Sequence, residues 1–162
     1  MATSAPVAPA QTCPDLFFLL SQASHVLTTE LTAGLDDLGI TPRAHCVLSK
    51  AMRGELTQHE LAEQCGLDKT TMVVTVDELE RAGLAERRPS KADRRARIIV
   101  VTEAGRRMAA QADAIVARIH HDVLGALPAD ERDAFVAGLV RLVDTRLATP
   151  VLCQRPVRRR IP

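Results

Sequence analysis

The chain has 162 residues, of which 46% are hydrophobic and 25% are charged, so it has enough apolar material for one compact domain. Its length does not favour a multidomain enzyme. The formal net charge of +1 by itself argues against nucleic-acid binding, and the aromatic content of 2% disfavours stacking of single-stranded bases. Because no apolar run is long enough to cross a membrane and no signal peptide is evident, we expect a cytoplasmic protein.

The four cysteines, Cys13, Cys46, Cys65 and Cys153, are widely spaced and include no C-x-x-C pair. The spacing typical of zinc sites is therefore absent, and a disulfide framework is not expected in a reducing compartment. The simplest interpretation places three thiols beside the core and one in a mobile tail.

Two helices are predicted in the first third of the chain. Leucines recur at three- and four-residue steps from Leu16 to Leu38, which predicts a long first helix that Gly39 ends. Thr41 and Pro42 predict the start of the second helix, as N-cap and first helical residue.

The stretch from Leu56 to Gly83 has the pattern of a helix-turn-helix. Thr57 and Glu60 are spaced as in a capping box, which starts a helix of about two turns. Asp68 is placed to cap a second helix that Gly83 stops. Two short helices joined by a tight turn form this motif.

Beyond the helix-turn-helix, the apolar period falls from 3.6 to about 2, which predicts a β-hairpin. Its strands are expected at 84–88 and 95–101. Thr102 then starts a long helix, and a turn at Pro128 separates that helix from the last one. The predicted fold class is mainly α with a small β-hairpin wing (α+β), a winged helix-turn-helix flanked by N- and C-terminal helices.

A winged helix-turn-helix places its second helix in the major groove of DNA, where residues near the helix start reach base edges. Lys69 suits a phosphate or guanine, the threonine hydroxyls suit phosphates or bases, and valines read only shape or thymine methyls. The alternative for each valine is packing against a neighbouring helix. The candidate DNA contacts on this motif are Gln58, Lys69, Thr70, Thr71, Val73 and Val74.

The hairpin carries the strongest local charge. Residues 87–97 have a net charge of +5, with Asp93 as their one acid. Such a run is usually a solvated face, but an arginine at the tip of a wing can enter the minor groove. Asp93 lies two residues before Arg95 and is expected to orient its guanidinium. The candidate DNA contacts in the wing are Arg88, Lys91, Arg94 and Arg95.

The residues from Asp93 to Gly105 resemble the wing signature of the multiple-antibiotic-resistance regulator (MarR) family. The chain has Asp-Arg-Arg, five residues and Val-Thr-Glu-Ala-Gly, where the family pattern is Asp-x-Arg, five residues and Leu-Thr-x-x-Gly. Val101 is the one departure. The helix-turn-helix within 56–84 is also similar to that family, and the resemblance spans about residues 15–148.

The resemblance implies a homodimer in which the first helix and the last two interleave. It also implies that two winged-helix lobes bind a palindrome as a repressor. The sequence supports the dimer independently, since Val136 and Val140 add a second apolar stripe beside Leu139 and Val143 on the last helix. A two-fold dimer requires an inverted-repeat site in double-stranded DNA.

This interpretation divides the chain into segments of different charge. The acidic arms offset a basic wing and a tail with four arginines, so near-neutrality does not exclude DNA binding. Whether Arg158–Arg160 add phosphate contacts or only belong to a disordered tail stays open. The expected segments are a disordered N-terminus at 1–12, a helical dimerisation region at 13–40 and 103–148, the winged helix-turn-helix at 41–102 and a basic flexible tail at 149–162.

The resemblance further implies that a small anionic aromatic ligand, often phenolic, binds between the dimer helices and the DNA-binding lobe. The candidate ligand contacts are His25, Arg43 and His45, whose cationic groups suit a carboxylate. The alternative for each of the three is a surface or half-buried residue that binds no ligand.

Two alternatives belong to other classes. Relatives that sense organic hydroperoxides carry a reactive cysteine at what looks like Phe17, which leaves Cys13 as the candidate redox switch. In the second alternative, the winged helix is a protein-interaction module instead of a DNA-binding one. We expect no catalytic residues, no cofactor and no metal site, because no phosphate loop, activated nucleophile or ligand spacing is present.

Overall fold

A computed structural model describes residues 15–90 and 96–149. Within them every predicted helix and both strands are present. No helix of this described part is both long and apolar enough to cross a bilayer. The elements are α1 (Leu16–Leu35), α2 (Pro42–Ala51), α3 (Gln58–Cys65), α4 (Lys69–Arg81), β1 (Ala85–Pro89), β2 (Arg97–Val101), α5 (Glu103–Gly125) and α6 (Ala129–Asp144).

The first helix ends earlier than the leucine spacing predicts. The α-helix stops at Leu35, and Asp36–Leu38 form one turn of 3-10 helix. Residues three apart eclipse in a 3-10 helix, so Leu38 still packs against the core that buries Leu35. Gly39, with φ of 64°, closes the turn and donates its N–H to the carbonyl of Asp36.

The chain divides into two compact units, one ending at Ile119 and one beginning at His120. The core of the first unit combines side chains of α2, α3, α4, the hairpin and the first half of α5, whereas Leu35 is the one fully buried residue of α1. The largest fully buried side chains are Leu35, Leu48, Leu61, Met72, Ile99, Val47 and Val76.

The capping box at the start of α3 is confirmed. Thr57 Oγ1 accepts the backbone N–H of Glu60 at 3.2 Å, and the Glu60 carboxylate accepts the N–H of Thr57 at 2.7 Å. Gly66, with φ of 62°, ends the helix, and Asp68 Oδ1 then accepts the N–H groups of Thr70 and Thr71. These polar caps fix both ends of the turn that orients α4.

The hairpin is antiparallel, with Ala85 opposite Val101 and Pro89 opposite Arg97. Both strands begin later than predicted. The N–H of Ile99 also donates to the carbonyl of Leu56 at 3.2 Å, so the segment before α3 borders β2. This bond joins the wing to the helix-turn-helix.

The Thr and Gly of the wing signature join α5 to the end of α4. Thr102 Oγ1 donates to the carbonyl of Gly83 at 2.7 Å and accepts the N–H of Gly105 at 3.0 Å. This one hydroxyl therefore caps the start of α5 and bonds it to the residue that follows α4. A Cβ on Gly105 would overlap the carbonyl oxygen of Leu84 and lie 2.7 Å from Cγ1 of Val101. Only glycine allows this close approach.

In the second unit Arg132 holds the turn between α5 and α6. Its guanidinium donates to the carbonyls of Leu127 at 3.0 Å and Gly125 at 3.2 Å. The 16-residue helix α6 nevertheless has no buried residue. Its exposed large apolar side chains are Phe135, Val136, Val140, Leu142 and Val143.

We expect Gly105→Ala to destabilise the protein by about 1–3 kcal/mol, because the new methyl group must displace backbone. The free energy of unfolding, measured by urea titration, reports the change. Gly54→Ala is the matched control, since a Cβ there meets nothing within 4 Å and the backbone φ is not positive. Equal stability of the two variants would contradict the close approach.

Candidate nucleic-acid interface

The start of α4 presents polar side chains to solvent. Lys69 and Thr70 are exposed, while Thr71 is half-buried and donates its hydroxyl to Asp68 Oδ2 at 2.6 Å. The hydrogen bonds from Thr71 and Thr70 lower the pKa of Asp68, which keeps this cap anionic at neutral pH. Lys69 and Thr70 therefore stand at a rigidly capped helix start.

The two valines of α4 differ in their surroundings. Val73 is half-buried and its carbonyl accepts a bond from Arg87 Nη2 at 3.3 Å. Val74 is 51% exposed, which is unusual for an apolar side chain on a packed helix. Packing thus accounts for part of the Val73 side chain but not for Val74.

Arg87 links three elements. Its Nε donates to Gln58 Oε1 of α3 at 3.0 Å, and its Nη2 lies 2.7 Å from Asp77 Oδ1 of α4. Its Nη1 pairs with Glu80 Oε2, and its backbone N–H donates to the other oxygen of the same carboxylate at 2.7 Å. The network fixes β1, and with it the base of the wing, against both helices of the helix-turn-helix.

Sequence reasoning missed this network by counting Arg87 among the wing charges. Two signals pointed to it. Arg87 lies two residues after the buried Ala85, hence on the same inward face of β1. Asp77 and Glu80 are three residues apart and therefore share one face of α4.

The neighbouring predicted contacts lie on both sides of this network. Gln58 is half-buried and uses its side-chain carbonyl to hold Arg87. Arg88 points away, is 58% exposed and pairs with Glu86 Oε2 at 2.9 Å. Alternation along β1 thus gives one arginine a structural position and leaves the next one on the surface.

Two of the predicted DNA contacts, Gln58 and Lys69, line one surface hollow where α3, the start of α4 and β2 converge. Arg97 of β2, which was not predicted as a contact, lines it with them. Its volume of about 600 Å³ is comparable to that of a ligand cleft, but its rim is charged and open. Lys91, Asp93, Arg94 and Arg95 lie outside the described residues.

The three candidate ligand contacts have different surroundings. His25 lies in a shallow hollow formed by α1 and Asp36, which neither Arg43 nor His45 lines. Arg43 is exposed. His45 is half-buried, with Nε2 at 2.7 Å from Asp113 Oδ1 of α5. His45 therefore joins α2 to α5 in this unit.

Cys46 and Cys65 are half-buried thiols, as expected, whereas Cys13 and Cys153 lie outside the described residues. Phe17, at the position that resembles the peroxide-sensing cysteine of some relatives, is 79% exposed on α1. Over the described ranges 15–90 and 96–149, no three His, Cys, Asp or Glu side chains are grouped as metal ligands.

Comparison with known proteins places this geometry in a family. The model of the MarR family matches residues 38–96. The crystal structure of CouR from Rhodococcus jostii RHA1, bound to p-coumaroyl-CoA, is 30% identical with a TM-score of 0.72, over 91% of this chain and 100% of that one. The chain belongs to the MarR family. It is thus a winged-helix transcriptional regulator and not an enzyme.

Two further structures are similar to this chain, one of a repressor bound to DNA and one of a regulator bound to a small molecule. The transcriptional repressor CouR bound to a 23-mer DNA duplex is 28% identical, with a TM-score of 0.73, over 86% of this chain and 99% of that one. The MarR family protein Rv2887 of Mycobacterium tuberculosis, in complex with p-aminosalicylic acid, is 29% identical with a TM-score of 0.66, over 79% and 98%.

Arg87→Met should destabilise the protein by about 1.5–3 kcal/mol, because Asp77 and Glu80 lose a charged partner that is only 22% exposed. Arg88→Met is the matched control on the next residue and should cost less than about 1 kcal/mol. Urea unfolding followed by circular dichroism measures both. A reversed order would show that the network has no structural role.

Proposed function

We propose that this MarR-family regulator is a repressor that binds an inverted-repeat operator in double-stranded DNA as a homodimer. A small anionic aromatic ligand releases it. The observation that carries the proposal is the exposed start of α4. Lys69 and Thr70 face solvent, Val74 is 51% exposed, and Lys69 lines one hollow with the exposed Arg97 of the hairpin. The CouR repressor, crystallised on DNA, supports it. Its action on the chromosome makes the cytoplasm its expected compartment.

Each side chain has a role that follows from its chemistry. Lys69 and Thr70 donate to phosphates or base edges, and Val74 contacts a thymine methyl in the major groove. Gln58, Thr71 and Val73 complete the helix-turn-helix contacts from a partly buried position. The proposed wing contacts are Arg88, Lys91, Arg94 and Arg95, with Asp93 orienting Arg95.

Unpartnered apolar surface supports the homodimer. Phe17 and Phe18 on α1 are 79% and 61% exposed, and Val140 and Val143 on α6 are 52% and 53% exposed. Exposed apolar side chains that are grouped on one helix are typical of interfaces. We therefore assign residues 13–40 and 103–148 to the dimerisation region and residues 41–102 to DNA binding.

Lys69→Ala and Arg88→Ala should each weaken operator binding and reduce the slope of log affinity against log salt by about one, because each removes one phosphate contact. Fluorescence anisotropy with DNA upstream of the gene, over a series of salt concentrations, measures both quantities. Arg118→Ala, an exposed arginine on α5, is the control and should leave the slope unchanged.

The salt series also tests the alternative of a protein-interaction module. A wild-type protein that binds no inverted repeat at low salt would refute the proposed function. We expect operator affinity to fall steeply between low and moderate salt, since several phosphates are contacted at once.

Val140→Asp should dissociate the homodimer, because a carboxylate at an apolar interface lacks a partner. Analytical ultracentrifugation measures the mass, and operator affinity should fall with it, since two half-sites are no longer bound together. Val74→Asp introduces the same charge at a similarly exposed valine on α4. That control should remain dimeric while losing DNA affinity, so a monomeric Val74→Asp protein would contradict the assignment.

The proposed class of ligand is supported by two similar proteins, whose bound compounds, p-coumaroyl-CoA and p-aminosalicylic acid, are both anionic and aromatic. We expect these two compounds, used as probes, to release the operator in the anisotropy assay. A release of at least fivefold is the lower end of typical coupling. Arg43→Ala, and likewise His25→Ala, should weaken release without weakening DNA binding. His45→Ala should do the same. Asp113→Ala is its control, because it removes the bond to His45 and leaves the imidazole in place.

A further inference from the structure

One exposed ridge runs along the outer face of α4. Its members recur at three- and four-residue steps and are Thr70, Val74, Glu78 and Arg81. In the middle of this ridge an apolar and an acidic side chain are neighbours, because Val74 and Glu78 are four residues apart. Neither type binds phosphates, so in the major groove both need a base edge as their partner.

The next row of side chains on α4 already has partners within the protein. Arg87 bonds to the carbonyl of Val73 at 3.3 Å and lies 2.7 Å from Asp77 Oδ1, so the Asp77 carboxylate is paired with a cation of the chain. The carboxylate of Glu78, in contrast, has neither a hydrogen bond nor an ion pair within the described part of the chain. Of these two adjacent acids, Glu78 is therefore the one available to a base.

The geometry of the helix brings Glu78 toward Val74. In an α-helix each Cα–Cβ bond leans toward the N-terminus, so a long side chain extends over the residue four places earlier. Val74 is 51% exposed, and the helix start beside it is fixed by Asp68, which accepts the N–H groups of Thr70 and Thr71 at 2.9 and 3.0 Å. The ridge thus presents an apolar group and a hydrogen-bond acceptor side by side.

The pyrimidines differ in what they offer to this pair in the major groove. Thymine presents a C5-methyl group beside the O4 acceptor, and cytosine presents the N4 donor without a methyl group. 5-Methylcytosine presents both, the methyl group and the amino donor, on neighbouring ring atoms. Valine packs against the methyl group and the carboxylate accepts the amino hydrogen, whereas the carboxylate and O4 of thymine are both acceptors and form no bond.

We propose that Val74 and Glu78 together recognise 5-methylcytosine in the operator, so that cytosine methylation strengthens binding. Thymine, which has the same methyl group, is accepted more weakly. The inference rests on the proposed function and adds to it the modified base that the ridge prefers. Operator affinity then responds to the methylation state of the DNA as well as to a small ligand.

The test measures, by fluorescence anisotropy at fixed salt, the binding of the wild-type full chain to a set of operator duplexes. The parent duplex is the inverted repeat upstream of the gene, and each position is replaced in turn, in both half-sites, by cytosine, 5-methylcytosine, thymine or uracil. We expect one position per half-site at which 5-methylcytosine binds most tightly. Its advantage over cytosine should be about fourfold per half-site, for one buried methyl group, and its advantage over thymine about tenfold, for one bond to a charged acceptor.

Two surface variants separate the two contacts. Val74→Ala should bind 5-methylcytosine and cytosine equally while still preferring cytosine to uracil, because only the methyl contact is lost. Glu78→Gln should keep the preference for 5-methylcytosine over cytosine and lose that for cytosine over uracil, since an amide both accepts from N4 and donates to O4. Arg118→Ala on α5 is the control and should keep both preferences.

The outcomes distinguish this inference from the proposed function. Equal affinity for cytosine and 5-methylcytosine at every position of a duplex that the wild-type protein binds would overturn the inference. A methyl preference that survives in Val74→Ala, or a preference for cytosine over uracil that survives in Glu78→Gln, would overturn it as well. Wild-type protein that binds no inverted repeat at low salt, with or without methyl groups, would instead refute the proposed function.

Discussion

The hydrogen bonds and ion pairs of the Arg87 guanidinium hold together α3, α4 and β1, the elements whose surface we propose faces DNA. It bonds to Gln58 of α3 and to Asp77 and Glu80 of α4, so β1 cannot move without both helices. Because the cation is only 22% exposed and has two carboxylate partners, its charge is neutralised inside the protein rather than offered to DNA. Strand β1 is therefore held in a fixed place against α3 and α4.

The charge that remains for DNA is smaller than the sequence indicates. Arg88 also has an acidic neighbour, Glu86, although its exposure leaves it able to exchange that partner for a phosphate. A formal net charge of +1 and these internal pairs favour modest non-specific affinity. The proposed sequence-specific binding then depends more on shape and on the few exposed side chains of α4 than on attraction to the phosphate backbone.

The chain also presents surfaces that a single copy does not use. Helix α6 buries no residue, and Phe17 and Phe18 of α1 are largely exposed, so apolar area is available for a second copy. These exposed apolar side chains support the proposed homodimer.

The sequence by itself determined the helices, the hairpin and the family, because caps such as Thr57 and Asp68 and the glycines of the turns act within a few residues. It also predicted Lys69 and Val74 as DNA contacts. Both are exposed on α4, and their contacts with DNA remain predictions, as do those of the wing tip and of the ligand. Only the tertiary structure decided that Arg87 points inward onto Asp77 and Glu80 of α4 and that His45 of α2 bonds to Asp113 of α5. These contacts join residues far apart in the chain, so they depend on how the elements pack and not on local pattern.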